Sequence, residues 1–251
     1  MDLGLRDKVC LVTGSTAGIG LEIARLLQAE GAHVVTHGRR PEGVGELHVA
    51  CDLTERGAAD GLVAQAVERF GRIDGLVNNV GGTEIRKLAD LSDDDWQRSF
   101  ELNLMTAVRT TRAALRHMRP GAAIVNVSST AGKRPSASMP DYSVTKAAVL
   151  SLSRLVADVY AKDGIRCNAI TPGPTATEAW LGEGGLADQQ AARSGKTRDE
   201  VLAAVGAGRP LGRLAEPGEI ASVIAFLCSP RASYVTGAAW SADGGTVPII
   251  I

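Results

Sequence analysis

The stretch Thr13-Gly-Ser-Thr-Ala-Gly-Ile-Gly20, TGSTAGIG, joins an apolar run, KVCLVT (Lys8–Thr13), to an amphipathic one, GIGLEIARLLQAEG (Gly18–Gly31). The first run reads as a strand and the second as a helix stopped by its final glycine. Glycines at 14, 18 and 20 let the backbone turn tightly. They also let a phosphate approach the helix N-terminus, where free N–H groups and the helix dipole bind anions. The spacing is not GxGxxG, because three residues separate the first two glycines. Strand, glycine turn and helix in this order predict a nucleotide site at the first turn of a parallel α/β sheet.

Outward from this turn, short β-branched runs alternate with longer amphipathic stretches, the signature of parallel βαβ units. HVVTH (His33–His37), GLVNN (Gly75–Asn79), AAIVNVS (Ala122–Ser128), Ile165–Ile170 and part of TGAAWSADGG read as strands. Helices are expected near Arg56–Phe70, after Ser92 as N-cap with Asp93, Asp94 and Asp95 at its positive end, and through Tyr142 and Lys146 to about Asp163. Another opens at Pro217, as an N1 proline, and runs through Cys228. ELHVA is also a strand, yet only Arg40–Gly45 precede it, too few residues for a usual crossover. Either a compact loop without a helix joins it to the strand before, or one of the two strand assignments fails. From Gly173 to Pro210 the pattern turns irregular, as in a lid over a binding site, although DQQAARSGK and RDEVLAAVGA leave open a fixed helical insertion. No repeat, linker or composition shift marks a boundary, so one domain over 1–251, with its lid at about 173–210, is expected.

Composition narrows the function classes. A net charge of -1 with 22% charged residues gives no electrostatic reason to expect nucleic acid or an anionic membrane. The four cysteines, Cys10, Cys51, Cys167 and Cys228, lack CxxC spacing and read as free thiols in a reducing compartment. The N-terminus MDLGLRDK has no apolar signal core, no segment approaches a membrane span, and the VPIII tail is too short to anchor the chain. A cytoplasmic location is expected. The four histidines form no ligand cluster, so no metal site is expected.

MPDYSVTK (Met139–Lys146) places a tyrosine and a lysine four residues apart, on one helix face. A cation beside a phenol favours the phenolate, which would ready Tyr142 for proton transfer near neutral pH. A solvated helix face has the same spacing, so the pair alone does not establish chemistry.

Taken together, TGSTAGIG, NNVG (Asn78–Gly81), Asn103, NVSSTAG, YSVTK and PGPTAT (Pro172–Thr177) resemble the short-chain dehydrogenase/reductase family over nearly the whole chain. The resemblance is strongest to its 3-oxoacyl-carrier-protein reductase group. It implies a Rossmann-type doubly wound sheet of seven parallel strands, with helices on both faces and NAD(P) at the strands' carboxyl ends. By the same resemblance, Tyr142 gives a proton to the substrate oxygen as the nicotinamide gives hydride, and Lys146 binds the nicotinamide ribose and lowers the tyrosine pKa. Ser129, rather than Ser128, orients the substrate oxygen, and Asn103 holds a water in a relay to the lysine. Expected cofactor contacts are Gly14, Ser15, Thr16, Gly18, Ile19 and Gly20 at the turn, Asp52 and Leu53 at the adenine, Asn79 and Gly81 at the ribose, and Pro172, Gly173 and Thr177 over the nicotinamide. In HGRR, Gly38 stands where NAD-specific relatives carry Asp, and Arg39 and Arg40 follow. A guanidinium fork suits a 2′-phosphate, so NADP is favoured, with NAD possible. Ala17 departs from NADP-preferring relatives, which often place a basic residue there. The implied activity is interconversion of a small ketone and a secondary alcohol, with a non-catalytic NADP sensor as the alternative. A homotetramer is expected, paired through the apolar EIASVIAFLCS helix (Glu219–Ser229).

Overall fold

A computed structural model describes residues 2–248, so the last residues of the VPIII tail lie outside it. Seven strands, β1 (Val9–Val12), β2 (His33–Gly38), β3 (Leu47–Ala50), β4 (Gly75–Asn78), β5 (Ala123–Val127), β6 (Arg166–Pro172) and β7 (Ala239–Ala242), form one sheet. Their order is β3-β2-β1-β4-β5-β6-β7, with every pairing parallel. The chain leaves β1 toward β2 and β3, then returns to place β4 on the other side of β1. At that reversal a crevice opens beyond the carboxyl ends of the strands.

Successive strand residues point to opposite faces, and the two cores follow that alternation. Val12, Val34, Val77 and Val125 face α1 (Gly18–Ala29) and α10 (Pro217–Cys228), which contribute Ile23, Leu27, Ile220 and Ile224. Leu11, Val35, Leu76 and Ile124 face the other way, where α2 (Ala58–Phe70) supplies Leu62 and α6 (Pro140–Tyr160) supplies Val156. Strands covered on both faces need near-continuous apolar runs, and β1, β4 and β5 are buried at every residue. Ile224 is fully buried, so truncating it to Ala would cost about 2–5 kcal/mol.

β2 and β3 pair in parallel across a loop, residues 39–46, that contains no helix. His48 braces this loop: one ring nitrogen lies 2.9 Å from Thr36 Oγ1 and the other 2.8 Å from the Arg40 carbonyl. Gln28 Nε2 donates to the Val44 carbonyl at 2.8 Å. A Cβ on Gly43 would stand 2.0 Å from His48 Nδ1, so only glycine lets the loop lie this close.

Ser92 opens α3 (Asp93–Phe100) with a reciprocal capping box to Asp95. The helix then widens into one π turn, Glu101–Met105, before continuing as α4 (Thr106–Ala114). Two further short helices complete this region, α5 (Thr130–Lys133) just after β5 and α7 (Glu178–Leu181) after β6. The segment after β6 is largely helical: α8 (Leu186–Ser194) and α9 (Arg198–Ala207) follow α7. These helices enclose a small core of their own, Ala187, Val201 and Val205, with Trp180 and Leu202 packed on it. α8 is tied to the opposite wall, because Ile85 N–H donates to Gln189 Oε1 at 2.9 Å and Arg193 donates to the Ile85 carbonyl.

Candidate active site

Gly14 and Gly18 have φ of +63° and +55°, where a side chain is strained. A Cβ on Gly20 would lie 2.2 Å from the Gly14 carbonyl oxygen, so the helix can start this close to the strand only with glycine there. The turn is held from beneath. Asn79 Nδ2 donates to the carbonyls of Thr13 and Gly14 at 3.1 and 2.9 Å. Gly14 N–H donates to His37 Nδ1 at 3.1 Å, and His37 Nε2 donates toward the Cys51 carbonyl at 3.1 Å. Burial lowers the His37 pKa, which keeps the ring neutral and able to accept at Nδ1. His37 is a residue that the sequence does not reveal: it reads as the last residue of a strand, and nothing local shows that it props the turn. With Ala17 as N-cap, no side chain satisfies the first N–H groups of α1. They are left to an anion, and the cradle fits a pyrophosphate.

From this turn a cleft of about 1450 Å³ runs along the carboxyl edge of the sheet. It exceeds the usual small-ligand pocket and is large enough for a dinucleotide with a second, small molecule. Gly14, Thr16, Gly18, Ile19, Arg39, Asp52, Leu53, Asn79, Gly81, Pro172, Gly173 and Thr177 all face it. Three of the expected contacts do not. Ser15 is fully buried, its Oγ donating to the Val12 carbonyl at 2.8 Å and accepting from His37 N–H. Gly20 lies under Gly14, and Arg40 is turned off the cleft wall with its carbonyl held by His48. Asp52 is kept ionised by hydrogen bonds from Thr54, with Arg39 adding attraction. Thr177 stands over the start of α1, 3.3 Å from where a Cβ on Gly18 would be.

At the far end of the cleft, Ser129, Tyr142 and Lys146 share one wall. Ser129 caps α5 by accepting from Ala131 N–H at 3.1 Å. Lys146 Nζ donates to the Val127 carbonyl at 2.8 Å and sits 5.6 Å from the centroid of the Tyr142 ring. The phenol differs from the sequence expectation. Burial raises its pKa, with Ser129 pulling the other way, so it stays protonated at neutral pH. Burial also lowers Lys146 to about 8. Ser128 Oγ donates to the Lys146 carbonyl at 2.8 Å and braces the helix from within the core.

Asn103 lies behind this wall, buried in the π turn. Its Oδ1 accepts from Gly82 N–H at 2.9 Å, while Nδ2 donates to the carbonyls of Gly82 and Ser99 at 3.0 and 3.2 Å. That leaves one lone pair on Oδ1 for anything else. Gly81 is wedged between this side chain and the lysine. A Cβ there would be 2.9 Å from Asn103 Oδ1 and 3.0 Å from Lys146 Nζ.

An anion cradle at one end of a long cleft and a protonated phenol at the other describe a dinucleotide-dependent oxidoreductase. The comparisons agree. A family model described as enoyl-(acyl carrier protein) reductase matches residues 14–247. Cis-4-hydroxycyclohexanecarboxylate dehydrogenase of Sinomonas cyclohexanicum is 39% identical over 253 residues, covering 95% of this chain and 96% of that protein. A 3-oxoacyl-[acyl-carrier-protein] reductase of Vibrio cholerae is 33% identical over 255 residues, covering 97% and 98%. The crystal structure of L-sorbose reductase from Gluconobacter frateurii, complexed with NADPH and L-sorbose, superposes with a TM-score of 0.92 at 35% identity, covering 100% of both chains. The chain belongs to the short-chain dehydrogenase/reductase family, as its motifs suggested, and is an NAD(P)-dependent enzyme acting on CH–OH and C=O groups.

Proposed function

We propose that the chain is an NADP-dependent carbonyl reductase, converting a small ketone to a secondary alcohol. The phenol of Tyr142, half-buried on the cleft wall with Ser129 and with Lys146 Nζ 5.6 Å from its ring centroid, is the observation that carries this reading, because a ketone accepting hydride needs a proton donor at its oxygen. Bound NADPH supplies the hydride. Ser129 Oγ and Tyr142 Oη hold the ketone oxygen between them, and the phenol releases its proton to that oxygen as negative charge develops. Lys146 lies close enough to the phenol for its charge to stabilise the phenolate that remains. Asn103 acts at one remove, by fixing Gly82 and with it the strand of main chain that abuts Lys146. Arg39 on the cleft wall and the absence of a carboxylate at Gly38 support NADP over NAD. The other proposed cofactor contacts are those that face the cleft.

We treat residues 1–251 as one catalytic domain, with 173–210 as the substrate-covering segment. The cytoplasmic assignment rests on free cysteines and on no described helix being long and apolar enough to cross a membrane. A tetramer is supported by exposed apolar side chains. α10 turns Ile220 and Ile224 inside, against α1 and the sheet, and leaves Val223 and Phe226 half-buried. On α6, by contrast, Val144, Leu155 and Val159 are exposed at helical spacing.

The test is Tyr142→Phe. It should leave NADPH binding nearly intact while kcat on a ketone panel falls by at least about 100-fold. A variant that keeps a tenth of wild-type turnover would exclude Tyr142 as the proton donor. NADPH binding by a wild-type protein that reduces no ketone would favour the sensor reading.

A further inference from the structure

The loop between β2 and β3, residues 39–46, has no helix to hold it, yet it carries Arg39, the side chain proposed to meet a 2′-phosphate. What pins that loop decides where Arg39 points. On its amino side stands Gly38, whose carbonyl accepts from Cys51 N–H at 3.0 Å as β2 ends. On its carboxyl side the next fixed group is the Arg40 carbonyl, 2.8 Å from His48 Nε2. A carbonyl only accepts, so Nε2 bears a proton and donates it to this bond. Pro41 follows, which disfavours the helical conformation at Arg40 and removes an N–H that could tie the loop otherwise. The ring is itself set in place. Thr36 Oγ1 lies 2.9 Å from Nδ1, and the returning loop lies so close that a Cβ on Gly43 would stand 2.0 Å from Nδ1 and 2.5 Å from Cγ.

We infer that His48 is a positioning residue for cofactor choice: by holding the Arg40 carbonyl it keeps Arg39 on the cleft wall, where its guanidinium can meet a phosphate on the ribose 2′-oxygen. The inference rests on the NADP reading and names what makes Arg39 effective. An exposed cation on a loose loop loses most of its attraction for a ligand to screening and to the cost of ordering. A cation whose main chain is pinned on both sides has that cost largely removed. His48 does not line the cleft, so it acts only through the loop.

Fluorescence titrations with NADPH and with NADH test it. Arg39→Gln should weaken NADPH by about tenfold or more and NADH by less than about twofold. His48→Leu should reproduce that selective loss, weakening NADPH by about five- to tenfold, the worth of one hydrogen bond, with NADH within about twofold. His48→Gln, whose amide can still donate to the Arg40 carbonyl, should restore part of it. Gly43→Ala displaces the ring with His48 present, should lower the same ratio, and carries the test if His48→Leu does not fold. Added to Arg39→Gln, His48→Leu should weaken NADPH by less than about twofold further, because its route runs through that arginine. Equal weakening of both cofactors, an undiminished NADPH preference in the His48 and Gly43 variants, or a full effect of His48→Leu on top of Arg39→Gln overturns the inference and leaves Arg39 as the phosphate ligand. An Arg39→Gln variant that keeps the wild-type NADPH-to-NADH ratio overturns that role for Arg39, and this inference with it.

Discussion

The methyl group of Thr16 occupies the space that a side chain at position 38 would need: a Cβ on Gly38 would stand 2.4 Å from Thr16 Cγ2 and 3.0 Å from its Oγ1. Cofactor preference is therefore shared between the glycine turn and the end of β2. Gly38→Asp alone, the change that would offer a carboxylate to a ribose diol, should displace Thr16 and impair both cofactors. Gly38→Asp with Thr16→Ala should gain NADH use by at least about tenfold in kcat/KM over the single variant. Equal NADH kinetics for the two would show that the turn yields freely.

Lys146 gives a pH signature in stability. Its pKa falls from 10.5 to about 8 because burial disfavours the charge. Below about pH 8 both folded and unfolded chains hold the proton, and the folded one bears the whole desolvation cost. Between about 8 and 10.5 only the unfolded chain holds it, so the contribution of Lys146 to stability rises with pH. In urea titrations of the cofactor-free protein, the stability of wild type relative to Lys146→Met should increase from pH 7.5 to pH 10 (about two and a half decades of proton activity,). A flat difference would mean that the lysine titrates as it does in water.

Gly81→Ala should act on the same lysine without touching the phenol. The added methyl lies 3.0 Å from Nζ and 2.9 Å from Asn103 Oδ1, so one of them must move. A fall in kcat of about tenfold or more, with the fold intact by circular dichroism, is expected. Unchanged kcat would show that the lysine tolerates displacement.

Association should depend on α6. Leu155 is 59% exposed, so Leu155→Glu should leave the protomer folded while shifting light-scattering mass at micromolar concentration toward smaller species. The same mass for variant and wild type would rule this helix out as an interface.

Where a backbone conformation demands one residue type, or a length can be counted, the structure could be read from the chain. Gly14 and Gly18 announce the turn because other residues are strained at those φ values, and the missing β2–β3 helix follows from the few residues between Arg40 and Gly45. Spacing puts Tyr142 and Lys146 on one helix face, while Ser129 and the roles of all three come only through the family resemblance. The π turn was not legible, because FELNLMTAV keeps an ordinary helical apolar pattern while one hydrogen-bond step widens. The role of His37 depends on contacts to Gly14 and Cys51, residues distant in sequence. The upward pKa of Tyr142 depends on burial, which spacing does not reveal. The apolar pattern of α10 does not show which of its residues meet α1, as Ile220 and Ile224 do, and which stay half-buried, as Val223 and Phe226 do.

The helices after β6 keep a hydrophobic cluster of their own, Ala187, Val201 and Val205, separate from the two cores that flank the sheet. Their packing can therefore drift without unsettling the strands or the Tyr142 helix, so lineages can revise what enters the cleft while the reaction machinery is inherited unchanged. For the engineer, the block is a replaceable cassette. Its two ends run side by side in parallel at the bridge between Thr175 and Ala215, and an exchange that begins beyond Thr177 keeps that residue over the start of α1.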